Sequence, residues 1–284
     1  MQTDSALQDE LLAEAEGVMT DVTEQSKRDK KDFALWKKSK PGEPVWNSPW
    51  GEGRPGWHIE CSAMANAIFQ KCPLDIHSGG VDLRFPHHDN EIAQSEAYYN
   101  CDSWIKHFWH VGHLHIDGKK MSKSLKNFIT IKDILNAGYT SSQVRFVFLL
   151  SSWNATMDYS TEKSFVEAIA KDDQFREFFK NVGARIRNIE IKSTRQHWNE
   201  KDQELSARLL KAKNGVREAL CDSFDTKQAI KELGDLVTAT NVYIKQKDES
   251  IKVPLLRQVS RYVFQTLKAF GVYEDPDLPS LSSG

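Results

Sequence analysis

The apolar pattern of this chain changes period part-way along, and that change limits the folds open to it. Between about residues 57 and 116 it alternates between helical and strand spacing. In 57–70, Ile59, Ala63, Met64, Ala67 and Ile68 recur at helical spacing and are expected to face a core. Residues 74–77 read as a short strand, and Ser78-Gly79-Gly80 as a break where a ligand approaches the backbone. Residues 88–99 read as a helix entered after Pro86, and 104–111 as an alternating, aromatic strand. Asp117-Gly118 supplies a turn. Such alternation predicts an α/β unit with a parallel sheet. From Thr130 onward the period is helical only. Thr130 and Asp133 form a capping-box pattern, and 141–151 reads as a buried helix. Segments 161–188, 200–221, 225–247 and 252–270 carry apolar residues every three or four positions, which predicts a helical bundle. The Pro- and Ser-rich tail after Tyr273 is expected to fray.

Composition bounds the function. With 284 residues, 39% of them hydrophobic, the chain can build two cored domains. A formal charge of −2 gives no global field to attract nucleic acid, so any RNA affinity must come from local patches. Residues 161–284 are near balance, with 21 basic and 19 acidic side chains. No apolar run approaches the length that spans a bilayer. The four cysteines, Cys61, Cys72, Cys101 and Cys221, show no disulfide-framework spacing, and unpaired thiols in a reducing compartment are expected. Residues 1–26 hold seven acids and no lysine or arginine. They read as an acidic surface segment, followed by the basic run Lys27-Arg28-Asp29-Lys30-Lys31.

Two constellations carry chemistry. Lys120-Met121-Ser122-Lys123-Ser124 places two ammonium groups and two hydroxyls on a short loop, which suits a polyphosphate; a solvated basic turn is the plain alternative. His87 and Glu91, four apart, share one face of a helix. With Cys61, expected in the first turn of another helix where the positive end favours thiolate, they offer sulfur, imidazole and carboxylate, a donor set suited to tetrahedral zinc. Residue types alone favour a purely structural trio over a metal site.

The order and spacing of Gly56-Trp57-His58-Ile59-Glu60-Cys61-Ser62-Ala63-Met64, Asp75-Ile76-His77-Ser78-Gly79-Gly80, Phe85-Pro86-His87-His88-Asp89-Asn90-Glu91-Ile92-Ala93-Gln94-Ser95 and the lysine loop resemble cysteinyl-tRNA synthetases, in eukaryotic wording. Phe128-Ile129-Thr130-Ile131-Lys132-Asp133 and the segment around Phe33-Ala34-Leu35-Trp36-Lys37 extend the match. It is strong over 31–159 and mainly architectural beyond. The resemblance implies the C-terminal half of a Rossmann-like class I synthetase catalytic domain followed by an α-helical bundle domain. It implies a remnant of the connective insertion at 1–30, the rear of the catalytic domain at 31–135, a linking segment at 136–160, a tRNA-binding helical domain at 161–273 and a tail at 274–284.

It further implies ATP-dependent ligation of cysteine to tRNA(Cys) through cysteinyl-adenylate, with Mg2+ accompanying ATP, in the cytoplasm. Zinc held by Cys61, His87 and Glu91 would read the substrate thiolate, which separates cysteine from its near-isostere serine. His88 is then an outer or substrate-side group. Lys123, helped by Lys120, would stabilise the departing pyrophosphate, with Met121, Ser122 and Ser124 completing the loop. His77, Gly79, Gly80 and Asp82 would lie beside the adenosine, a tight turn being their plain alternative. Trp57 would wall the substrate pocket, or be a core aromatic at a helix start. Three departures stand out. Ser78 replaces a glycine usual in the family, and would be strained if that position has positive φ. The family's fourth zinc ligand, an upstream cysteine, has no counterpart. The early HIGH signature is also missing; His110-Val111-Gly112-His113 imitates it but lies too close to Lys120. The chain alone is therefore expected to be inactive and to expose a sheet edge and apolar surface. A cysteine ligase with a small-amine acceptor, a non-catalytic zinc- or tRNA-binding protein and, more distantly, a zinc hydrolase are the competing readings.

Overall fold

A computed structural model of the chain describes residues 28–29, 31–70, 72–116, 118–121, 127–159, 161–189, 197–246 and 251–274. The acidic segment 1–26 and the tail from 275 lie outside them. The chain divides into two compact units, 1–113 and 114–284. Residues 114–135, expected with the catalytic region, belong to the second. Among the described residues no helix is long and apolar enough to cross a membrane.

In the first unit, β1 (Trp36–Lys37) pairs antiparallel with β2 (Arg54–Pro55), and helix α1 (Trp57–Phe69) follows. Then β3 (Leu74–Gly80) runs parallel to β4 (Ile105–Val111), in register from Leu74 opposite Ile105 to Gly80 opposite Val111. A single 3-10 turn (Val81–Leu83), a kink at the extended Phe85 within Arg84–His88, and helix α2 (Asp89–Tyr99) connect the two strands. This is the predicted strand–helix–strand crossover with a parallel pair. Its apolar centre is Leu74, Trp104 and Ile105, backed by Ala65, Ile92, Tyr99 and Phe108.

Three expectations are corrected here. The strand does not break at Ser78; it continues through Gly80. The apolar stripe of α1 does not face this unit's core: Met64 and Ile68 are 58% and 75% exposed, and Ser62 is the one buried residue of that helix. The reason is that α1 meets α2 through polar contacts. The Ser62 hydroxyl donates to Gln94 Oε1 (2.7 Å), and Tyr99 donates to Asn66 Oδ1 (2.6 Å). The cysteines are not all unpaired either. Cys72 and Cys101 form a disulfide. One precedes β3 and the other follows α2, so the crossover joins thiols that sequence spacing keeps apart.

In the second unit, β5 (Leu114–Ile116) lies between β6 (Lys119–Lys120), antiparallel, and β7 (Met157–Tyr159), parallel. Gly118 turns β5 into β6 with φ +73°, the left-handed region that glycine enters freely, and its N–H donates to Asp158 Oδ1. Helices α3 (Ile131–Asn136) and α4 (Ser141–Leu149) open with complete capping boxes, Thr130/Asp133 and Thr140/Gln143. The bundle follows as predicted: α5 (Thr161–Asn188), α6 (Glu200–Cys221), α7 (Thr226–Tyr243) and α8 (Val253–Ala269). Phe165, Phe175, Phe178, Phe179, Ile230, Leu233, Leu256 and Val263 fill its centre. Each is worth roughly 1.5–3 kcal/mol of burial.

Buried polar ties fix how these helices meet. Asp202 caps the first turn of α6 and accepts a hydrogen bond from Tyr243 of α7; the Tyr243 oxygen in turn accepts from the Lys252 N–H at the entrance to α8. Tyr273 donates to Asp172 Oδ1 (2.8 Å), which Arg176 also grips through Nε (2.9 Å). Burial, with these carboxylates close by, pushes both phenol pKa values well up, so both tyrosines remain donors at neutral pH.

Candidate metal centre

The carboxyl end of the β3–β4 pair is where chemistry concentrates, as in parallel α/β sheets generally. Glu91, in the first turn of α2, is 1% exposed and sits at the centre of a group of imidazoles. Its Oε2 is 2.8 Å from His77 Nε2, 3.8 Å from His87 Nε2 and 3.9 Å from His88 Nε2. Cys61 comes from α1. Cys61, His87 and Glu91 bring one ligand atom each to within 4.8 Å of one another. Ligand atoms held 2.0–2.3 Å from one tetrahedral ion lie roughly 3.3–3.8 Å apart, so small side-chain movements would seat zinc here.

The other nitrogen of each buried imidazole is also engaged. His87 Nδ1 is 2.8 Å from His58 Nδ1, and His88 Nδ1 is 2.9 Å from His110 Nε2. These pairings turn both Nε2 atoms toward Glu91, the outer arrangement that fixes tautomer and ring angle in metal sites. Burial lowers the pKa of His87, of His110 and of His88, the last to about 4, so all three are neutral imidazoles at pH 7. Cys61 behaves otherwise than expected. It lies in the second turn of α1, not the first, and burial, then Glu91 and Glu60, push its thiol pKa up. The helix end does not supply a thiolate there; a bound cation would.

Trp57 stacks beside the group, its ring centroid 4.6 Å from that of His87 and 5.2 Å from that of His58. His77, expected beside adenosine, is the hydrogen-bond partner of Glu91. Asp82 lies 4.0 Å from His113. Ser78 is extended in β3 opposite Trp109 and is not among the residues with positive φ, so the strain expected of serine does not arise. The glycines serve close approach instead. A Cβ on Gly79 would meet the His88 ring at 2.9 Å, and one on Gly80 would strike Asp82 Oδ1. Because His88 is 2% exposed and cannot swing away, Gly79→Ala is expected to cost about 1–3 kcal/mol, read as a lowered thermal midpoint of the first unit. An unchanged midpoint refutes this reading.

Of the lysine loop, Met121 is half-buried against the second unit's core, its N–H donating to the Leu114 carbonyl. Lys120 ends β6. Ser122, Lys123 and Ser124 lie outside the described residues. Sequence reasoning passed over His58 and read His110 only as part of the false HIGH. The available signals were His58 standing three residues before Cys61, and His110 at the carboxyl end of a parallel strand.

Comparison with known proteins bears on family and fold. The family model described as tRNA synthetases class I (C) catalytic domain matches residues 2–169. The cytoplasmic cysteine–tRNA ligase of Gallus gallus is 48% identical over 272 residues, covering 94% of this chain and 36% of that protein. The cytoplasmic cysteine–tRNA ligase of Dictyostelium discoideum is 48% identical over 285 residues, covering 99% and 43%. The chain thus spans well under half the length of these relatives. Among solved structures, the LeuRS of an Agrobacterium radiobacter LeuRS–tRNA–LeuAMS complex superposes with a TM-score of 0.56 at 15% identity, over 87% of this chain and 35% of that one. Mycobacterium tuberculosis methionyl-tRNA synthetase with methionyl-adenylate gives 0.52 at 19%, over 69% and 42%. These distant likenesses speak to fold alone, the class I synthetase catalytic fold. With the family model covering more than half of the chain, this protein belongs to the class I (C) tRNA synthetase catalytic-domain family.

Proposed function

We propose that this chain carries the thiol-reading and pyrophosphate-handling part of a cytoplasmic cysteine–tRNA ligase, which joins cysteine to tRNA(Cys) through cysteinyl-adenylate. The observation that carries this is the convergence of Cys61 of α1 with the buried His87 and Glu91, each bringing one ligand atom to within 4.8 Å of the others. These three would hold zinc. When bound, zinc supplies a borderline-soft centre that prefers the substrate's sulfur to a hydroxyl oxygen. His58 orients His87, and Trp57 covers the same imidazole. In the loop, Lys123 stabilises the charge that develops on pyrophosphate as the cysteine carboxylate attacks the α-phosphorus of Mg2+-bound ATP, and Lys120 assists. The helices from 161 onward meet the RNA.

The 284 residues contain no HIGH signature other than the false one, whose His110 is occupied with His88 at the end of β4. The chain by itself is therefore expected to give no cysteine-dependent ATP–pyrophosphate exchange. Supplying a relative's N-terminal catalytic half, in trans or by fusion, is expected to restore it. In the restored enzyme Lys123→Ala should cost about 2–4 kcal/mol of barrier, the scale of one lost transition-state donor. Exchange by the chain alone, or full activity of the Lys123 variant, refutes the proposal. A second reading is metal binding without adenylation, which the donor trio alone would serve. It is separated by zinc uptake in the absence of exchange after restoration.

A further inference from the structure

Glu91 does not belong to one donor set only. His77, His88 and Glu91 also bring one ligand atom each to within 4.8 Å of one another. The two sets are built alike. In each, a buried histidine turns Nε2 toward Glu91 Oε2, at 3.8 Å for His87 and 3.9 Å for His88. In each, a further histidine holds its Nδ1, His58 for the first and His110 for the second. The first set adds the Cys61 sulfur. The second adds His77 Nε2, 2.8 Å from the same carboxylate oxygen. Space for the second imidazole is reserved by the bare Cα of Gly79. A group that only steadied Glu91 would need His77 and no such duplicate of the first arrangement.

We propose that His77, His88 and Glu91 form a second transition-metal site, adjoining the first and bridged to it by the Glu91 carboxylate. Two imidazoles and a carboxylate suit a borderline divalent cation such as Zn2+ or Co2+, with water completing the coordination. His110 is its positioning residue, fixing the His88 tautomer so that Nε2 offers a lone pair. The inference rests on the reading of Cys61, His87 and Glu91 as a zinc centre only in sharing Glu91.

Cobalt titration of the metal-free, tag-free 284-residue chain tests it, because the two sites differ in sulfur. Two equivalents of Co2+ are expected, one with a thiolate-to-cobalt charge-transfer band and one with visible ligand-field bands alone. Cys61→Ser should abolish the charge-transfer band and keep one equivalent. His77→Gln and His88→Asn should each keep the charge-transfer band and lose the other equivalent; these near-isosteric changes are used, with circular dichroism, so that misfolding is visible. His110→Ala should weaken that second equivalent by about 10–100-fold. A titration in the unaltered chain with no equivalent that His77→Gln and His88→Asn remove overturns the proposal. So does loss of the charge-transfer band in folded His77→Gln, since His77 would then serve the first site through Glu91. Absence of any charge-transfer band in the unaltered chain overturns instead the reading of the first set, while an equivalent dependent on His77 and His88 still upholds the second.

Discussion

Glu91→Ala is expected to remove zinc binding by this chain and to leave the first unit less stable as well. Glu91 is the common point of the imidazole group: its Oε2 faces three Nε2 atoms, and the residue is 1% exposed. Losing an outer partner of a metal ligand costs about 10–100-fold in affinity, and losing a ligand itself should exceed that. The direct reading is competition with a chromophoric chelator, where the unaltered chain retains zinc and the variant surrenders it. Stability follows from the other half of the interaction. Without the carboxylate, His77 loses its hydrogen bond, and the neutral, buried His87 and His88 face a void. A buried polar group left unpaired costs about 1–3 kcal/mol. Glu91→Gln separates the two effects. It keeps the volume and a hydrogen-bonding oxygen, so most stability should return, but a neutral amide is a poor zinc ligand and affinity should stay low. Zinc affinity that is unchanged in both variants would remove Glu91 from any metal centre.

The sequence disclosed parts of this site and hid others for definable reasons. His87 and Glu91 were legible because four residues is one helical turn, and Cys61 because the surrounding words are specific. His77 and His110 join them only through the parallel pairing of β3 and β4, where Gly79 stands opposite His110. No local period encodes that register. The stripe of α1 was misread because periodicity shows which residues share a face and not which face is covered. Ser62, Asn66 and Cys61 direct the other face at α2. The disulfide between Cys72 and Cys101 was hidden for the same cause as the histidines. In the bundle, by contrast, every signal is local. Capping residues such as Asn199 and Asp202 mark a start, and apolar spacing of three and four marks the buried side. There the expected segments and the helices agree to within a few residues.

The bundle is also where a single side chain carries the most stability. Phe178→Ala is expected to cost about 3–5 kcal/mol, the range for a large aromatic removed from a close-packed core. Phe178 lies on α5 with no exposed surface and packs with Phe179 at a ring-centroid distance of 5.1 Å. Its neighbours cannot easily close the gap. Phe175 and Phe146 stack on one another, Phe179 meets Tyr273 edge-on, and Tyr273 is held through its hydroxyl by Asp172. Collapse toward the vacated volume would pull on that hydroxyl, so the cavity should persist and the cost should fall in the upper part of the range. Phe178→Leu, which keeps more of the volume, should lose clearly less. Urea unfolding followed by the helical signal gives both values, and equal losses in the two variants would show that cavity volume does not set the cost. Tyr273→Phe gives the comparison from the polar side. Asp172 keeps Arg176, so removing the phenol oxygen should cost only about 0.5–1.5 kcal/mol. Order of effect, aromatic volume above phenol hydrogen bond, is what a core held chiefly by burial requires.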